Sequence, residues 1–121
     1  MVANVKNKLV SGIFSWPSLL IYSSFIVTVS VVPLESPPQM GFPLFDKVVH
    51  SFSYFLLAVL SVNTFAVRRY TVPRVSGFFY SFLLGFCMEI VQLFLPFRQF
   101  ELKDLAANFI GSVAGCLLLF L

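Results

Sequence analysis

A small set of polar side chains carries whatever chemistry this sequence has. Asp46, Lys47 and His50 open one hydrophobic run. Glu89 and Gln92 sit near the end of the next, and Arg98, Asp104 and Asn108 lead into the last. Carboxylates beside an imidazole can exchange protons or ligate a metal. The cations Lys47 and Arg98, next to expected helix N-termini, suit a phosphate or carboxylate group. Each such group costs several kcal/mol to bury in hydrocarbon unless it finds a partner or water. Helical spacing gathers them: Asp46 and His50 are i,i+4, Glu89 and Gln92 i,i+3, Asp104 and Asn108 i,i+4. Each pair therefore shares one face of its own helix.

Every one of these residues also has a plainer use. Asp46 and Asp104 stand where helix N-caps belong, favoured there by the helix dipole. Glu89 lies about two turns before Pro96, and an ion pair with Arg98 or Lys47 would account for it structurally. An intramembrane carboxylate, however, is by default a binding or proton-handling group. His50 with Asp46, Glu89 and Asp104 could make a metal site or an acid–base pair. One histidine among carboxylates on separate helices has no diagnostic ligand spacing, so the sequence assigns no metal and no cofactor. Ser51 and Ser53 flank His50 too closely in sequence to make a Ser–His arrangement by themselves. Cys87 and Cys116 lie in apolar segments without a Cys-x-x-Cys pattern and read as small packing residues.

The elements that must position these groups follow from composition. The chain has 121 residues, 59% hydrophobic and 11% charged, with 16 Phe. Soluble domains carry about 25% charged residues, so this chain cannot clothe a water-facing surface and its solvent is largely lipid. The net charge of +3 is read through its distribution along the chain and gives no sign of nucleic-acid binding. Helices are expected over about 16–32, 46–67, 75–95 and 104–121, after a cytoplasmic segment 1–15 and as one transmembrane domain over 16–121. The first run follows a basic start, as in a signal peptide. No small-x-small cleavage site follows it, so it is read as a retained helix. Residues 33–45 hold four prolines and form a loop.

Basic residues orient the bundle. With the N-terminus inside, Lys6, Lys8, Arg68, Arg69 and Arg74 fall on the inner side and Lys47, Arg98 and Lys103 on the outer. Both termini are then cytoplasmic, and every polar pair lies at the same outer interface. Arg68, Arg69 and Arg74 read as topology determinants that meet anionic inner-leaflet lipid. On the fourth helix the polar stripe continues into Gly111 and Gly115, a Gly-x-x-x-Gly that permits close helix approach.

Asp46-Lys47-x-x-His50 opening a helix, Glu89-x-x-Gln92 near the end of the next, then Arg98, Asp104 and Asn108-x-x-Gly111 together resemble the VanZ-like family of small integral membrane proteins. The resemblance covers roughly 42–121. It departs from the family pattern at Met88, where many members carry an acidic residue, and this weakens any role for paired carboxylates there. It implies a multi-helix, multi-pass protein of the bacterial cytoplasmic membrane. The family's namesake is associated with resistance to the glycopeptide teicoplanin.

The expectation is an all-α, four-transmembrane-helix bundle, N-in and C-in, with a polar cavity at its outer face. Its first reading is a non-enzymatic binder of an anionic lipid or cell-wall precursor. Lys47 and Arg98 would contact the anion, and Asp46, His50, Glu89, Gln92, Asp104 and Asn108 would orient the cations and meet polar ligand atoms. The second is a membrane-embedded hydrolase or transferase with His50 as base and Glu89 or Asp104 as acid or metal ligand. The third is a subunit of a larger membrane complex, the cluster only fixing helix register. Partners expected are membrane lipids, with a second copy or another membrane protein where an enclosed path is required.

Overall fold

The computed structural model describes residues 12–31, 45–67, 71–96 and 102–118. Four long helices lie among them: α1 (Trp16–Val31), α2 (Phe45–Val67), α3 (Pro73–Leu93) and α4 (Leu102–Leu117). Residues 33–44 of the expected loop, the Arg68-Arg69 pair and Arg98 lie outside the described residues, as do the side chains of Phe45 and Asp46.

Local chemistry sets the ends. Ser15 caps α1, its Oγ accepting from the Ser18 amide at 3.5 Å while its carbonyl accepts from the Leu19 amide at 3.0 Å. Helix α3 starts at Pro73, two residues before the expected start, because proline's missing N–H costs nothing in a first turn. It ends at Leu93, short of 95, where the Phe94 and Leu95 amides turn back onto the Val91 and Gln92 carbonyls. Helices α2 and α4 begin one and two residues earlier than expected. Asp46 is therefore a helical residue, and Asp104 sits inside the first turn of α4; neither is an N-cap.

The four helices alternate in direction. Gly111 of α4 lies against Ser51 and Phe55 of α2, and Gly115 against Phe55, Ala58 and Val59, so α2 and α4 run parallel. Gly77 of α3 meets Val62, and Gly85 meets Tyr54, so α3 runs antiparallel to α2. Helix α1 packs on α2 and α3. Trp16 makes an edge contact with Phe65, the Tyr22 hydroxyl donates to the Ser53 carbonyl (2.9 Å), Ser23 bonds the Tyr80 hydroxyl (2.7 Å), and Gln92 Nε2 donates to the Ser30 carbonyl (3.0 Å).

Small residues let the helices approach. On α3 the buried face is Gly77, Ser81, Gly85, Glu89 and Gln92; on α4 it is Asp104, Ala107, Asn108, Gly111, Ser112, Gly115 and Cys116. A Cβ on Gly111 would run into the Ser51 carbonyl, so only glycine admits this α2–α4 contact. The outward faces are the apolar ones: Ile21 and Phe25 on α1, Val48 and Phe52 on α2, Phe79 and Leu83 on α3, Phe109 and Ile110 on α4 are all exposed. Polar side chains inside and large apolar ones outside invert the pattern of a water-soluble domain. Helices α2 and α3 are long and apolar enough to cross a membrane, over Lys47–Val67 and Pro73–Leu93.

Candidate functional site

The site is built from the ends of three helices. Lys47 and His50 stand in the first two turns of α2, Asp104 in the first turn of α4, and Glu89 in the last turns of the antiparallel α3. Alternating direction brings all four to one end of the bundle. Lys47 Nζ donates to Asp104 Oδ1 at 2.5 Å, an ion pair whose side chains keep 19% and 10% of their exposure. One ligating atom each from His50, Glu89 and Asp104 lies within 4.8 Å of the other two. The separate polar clusters of the sequence thus become one.

Electrostatics shape this end. The N-termini of α2 and α4 carry positive partial charge, which suits Asp104. The C-terminus of α3 carries the opposite partial charge and suits Lys47. Glu89 is 2% exposed and Asn108 1% exposed. Among the described residues the cluster counts two carboxylates and one ammonium, plus the imidazole.

A second polar layer lies one turn deeper. Asn108 follows Asp104 on the same face of α4 and packs beside Gly85 and Tyr54. Its Oδ1 is buried with no hydrogen-bond partner among the described residues. Tyr54, 4% exposed, went unread in the sequence although it continues the His50 face by one further turn. Gln92, named with Glu89 from its spacing, is buried but spends its amide on the Ser30 carbonyl of α1. Arg98 and the side chain of Asp46 lie outside the described residues. Beside the cluster, Val48, Ser51, Phe52 and Phe55 of α2 and Gly111 and Ala114 of α4 line an open, largely apolar groove.

This arrangement defines a class: a small all-helical protein with apolar outer faces and a polar cluster of three helix ends at one pole. Comparison with known proteins gives the family. The VanZ/LLP1 family profile matches residues 4–121, nearly the whole chain, and the chain belongs to that family. It is also 33% identical over 81 residues to an uncharacterized protein of the fission yeast Schizosaccharomyces pombe, a match covering 67% of this chain and 50% of the relative. The chain thus matches about half the length of that relative. No solved structure matches it.

Proposed function

We propose that this chain is a multi-pass protein of the cell membrane whose outer-face polar cluster binds an anionic lipid headgroup or a lipid-linked cell-wall precursor. In this reading one domain spans the bilayer with four helices and both termini are cytoplasmic. The observation that carries the reading is the joining of Lys47, His50, Glu89 and Asp104 beside an open apolar groove. A headgroup fits the polar end and an acyl or prenyl chain fits the groove.

The arginine-bearing start of α3 lies at the opposite end of the helices from the cluster, which supports an inward orientation for Arg74. Helices α1 and α4, 16 residues each, span about 24 Å, less than a hydrocarbon core of about 30 Å. Short helices thin the bilayer around them, and this brings the cluster to headgroup depth. A relative in a fission yeast favours a ligand common to cell membranes over one confined to bacterial walls. Any contribution to teicoplanin resistance is then secondary to holding the headgroup.

Native mass spectrometry of the gently extracted protein tests this. The wild type carries a specific phospholipid or polyprenyl-phosphate adduct, and Lys47→Met and Arg98→Ala lose it. The same non-specific lipid on all three proteins, or none, contradicts the reading and leaves the cluster a device for helix register. The closeness of His50 to both carboxylates favours a second reading, a membrane-embedded hydrolase or transferase with His50 as base. In that case His50→Ala keeps the adduct and abolishes its turnover.

A further inference from the structure

We propose that Ser112, Asn108 and Ser81 hold a structural water molecule between α3 and α4, beneath the polar cluster. Hydroxyls inside these helices ordinarily donate to their own backbone one turn back. Ser23, Thr28, Ser53 and Ser81 bond the carbonyls of Leu19, Ser24, Val49 and Gly77 at 2.7–3.0 Å. Ser112 does not. It is fully buried, and its Oγ has no hydrogen-bond partner among the described residues. Thr64 departs in the same way. What sets Ser112 apart is a second such atom close by. Asn108, 1% exposed, precedes it by one turn on the same helix, and its Oδ1 is likewise without a partner among the described residues. Leaving both atoms dry is costly, so the pair calls for a third group.

Antiparallel register supplies the facing wall. Asn108 packs against Gly85 of α3, so Ser112, one turn further along α4, comes opposite Ser81, one turn back along α3. Ser81 is fully buried and its hydroxyl proton goes to the Gly77 carbonyl, which leaves its oxygen able to accept. A water here donates to Asn108 Oδ1 and Ser81 Oγ and accepts from the Ser112 hydroxyl, the usual complement for a buried water. Side chains one turn apart have Cβ atoms about 5–6 Å apart, and two bonds of about 2.8 Å reach across that distance. The facing stretch of α3 holds the small residues Ser81 and Gly85, which put no bulk in the way. A lipid chain in the same place would leave these polar groups unpaired, so the ligand is water. It ties α4 to α3 below Asp104 and Glu89 and so fixes the spacing of the two carboxylate-bearing helices. The water site is independent of what the cluster itself binds.

The test is water-edited solid-state NMR on the isotope-labelled protein in bilayers of perdeuterated lipid. Magnetisation from water should reach Ser112 Cβ and Asn108 Cγ several-fold faster than Leu57, which is fully buried among apolar side chains. Ser112→Ala should abolish the fast transfer at Asn108, and Asn108→Leu that at Ser112. Thermal unfolding in mixed micelles gives a second readout, by its sign. Removing one partner of a bound water strands the others, so Ser112→Ala should lower the unfolding midpoint; relieving a dry, unpaired hydroxyl would raise it. Ser53→Ala, at a hydroxyl bonded to its own helix, controls for helix propensity. If Ser112→Ala fails to fold, the wild-type transfer decides alone. Transfer to Ser112 and Asn108 no faster than to Leu57, or a midpoint raised by Ser112→Ala relative to Ser53→Ala, overturns the water site.

Discussion

At the residue scale the Lys47–Asp104 pair dominates. Removing one partner of a poorly solvated ion pair strands the other charge, and that loss exceeds what the pair itself contributes. Lys47→Met is expected to destabilise toward the lower end of about 3–5 kcal/mol, because Lys47 keeps some exposure. The double variant Lys47→Met/Asp104→Asn should recover much of that loss. Reversible unfolding in mixed micelles reads both; a double variant no more stable than the single would contradict a direct pairing. The convergence of Lys47, His50, Glu89 and Asp104 was legible in the sequence, because helical spacing and alternating direction put every polar pair at one end. Two details were not. Gln92 turns to the Ser30 carbonyl of α1, since a backbone carbonyl on a neighbouring helix leaves no trace in side-chain pattern. Tyr54 reads as one more aromatic in a chain with 16 Phe and 4 Tyr until its neighbours Gly85 and Asn108 are known.

At the element scale, contact between helices rests on absent side chains and on a few hydrogen bonds. A Cβ at Gly111 meets the Ser51 carbonyl, which is backbone and cannot swing away. Gly111→Ala should therefore cost about 1–3 kcal/mol by overpacking, while Gly12→Ala, with open space around it, should change stability little. The same unfolding assay ranks the two, and equal effects would sink the close α2–α4 approach. Helix α1 depends on Tyr22, Ser23 and Gln92 for its polar contacts with α2 and α3. Tyr22→Phe removes the bond to the Ser53 carbonyl, at about 0.6 kcal/mol by the usual value for such bonds in membranes. Proteolytic nicking of α1 should rise in step with that loss. Hydrophobic run lengths gave the helices to within a few residues. Their ends moved where proline could open α3 and where a tightened last turn closed it, effects of backbone hydrogen bonding that run lengths do not encode.

At the scale of the whole molecule, the inversion of polarity is the organising fact. Glu89, Asn108, Ser81 and Ser112 are buried while Phe25, Phe52, Phe79 and Ile110 face outward. Composition made this legible, because a chain with 11% charged residues has no other surface to offer. Two helices meet the length and hydropathy of a membrane crossing, and α1 and α4 join them in the proposed four-span arrangement. That arrangement sets Asp104 and Lys103 outside and Arg74 inside. The measurement that tests it most directly is labelling of single cysteines in intact cells with a membrane-impermeant maleimide, in a Cys87→Ser/Cys116→Ser background. Lys103→Cys and Arg74→Cys are the sites, both exposed in the fold. The account predicts that Lys103→Cys labels in intact cells and Arg74→Cys only after the membrane is opened. Labelling of Arg74→Cys alone in intact cells would invert the topology and put the polar cluster on the cytoplasmic side, and labelling of both would contradict a membrane-spanning bundle.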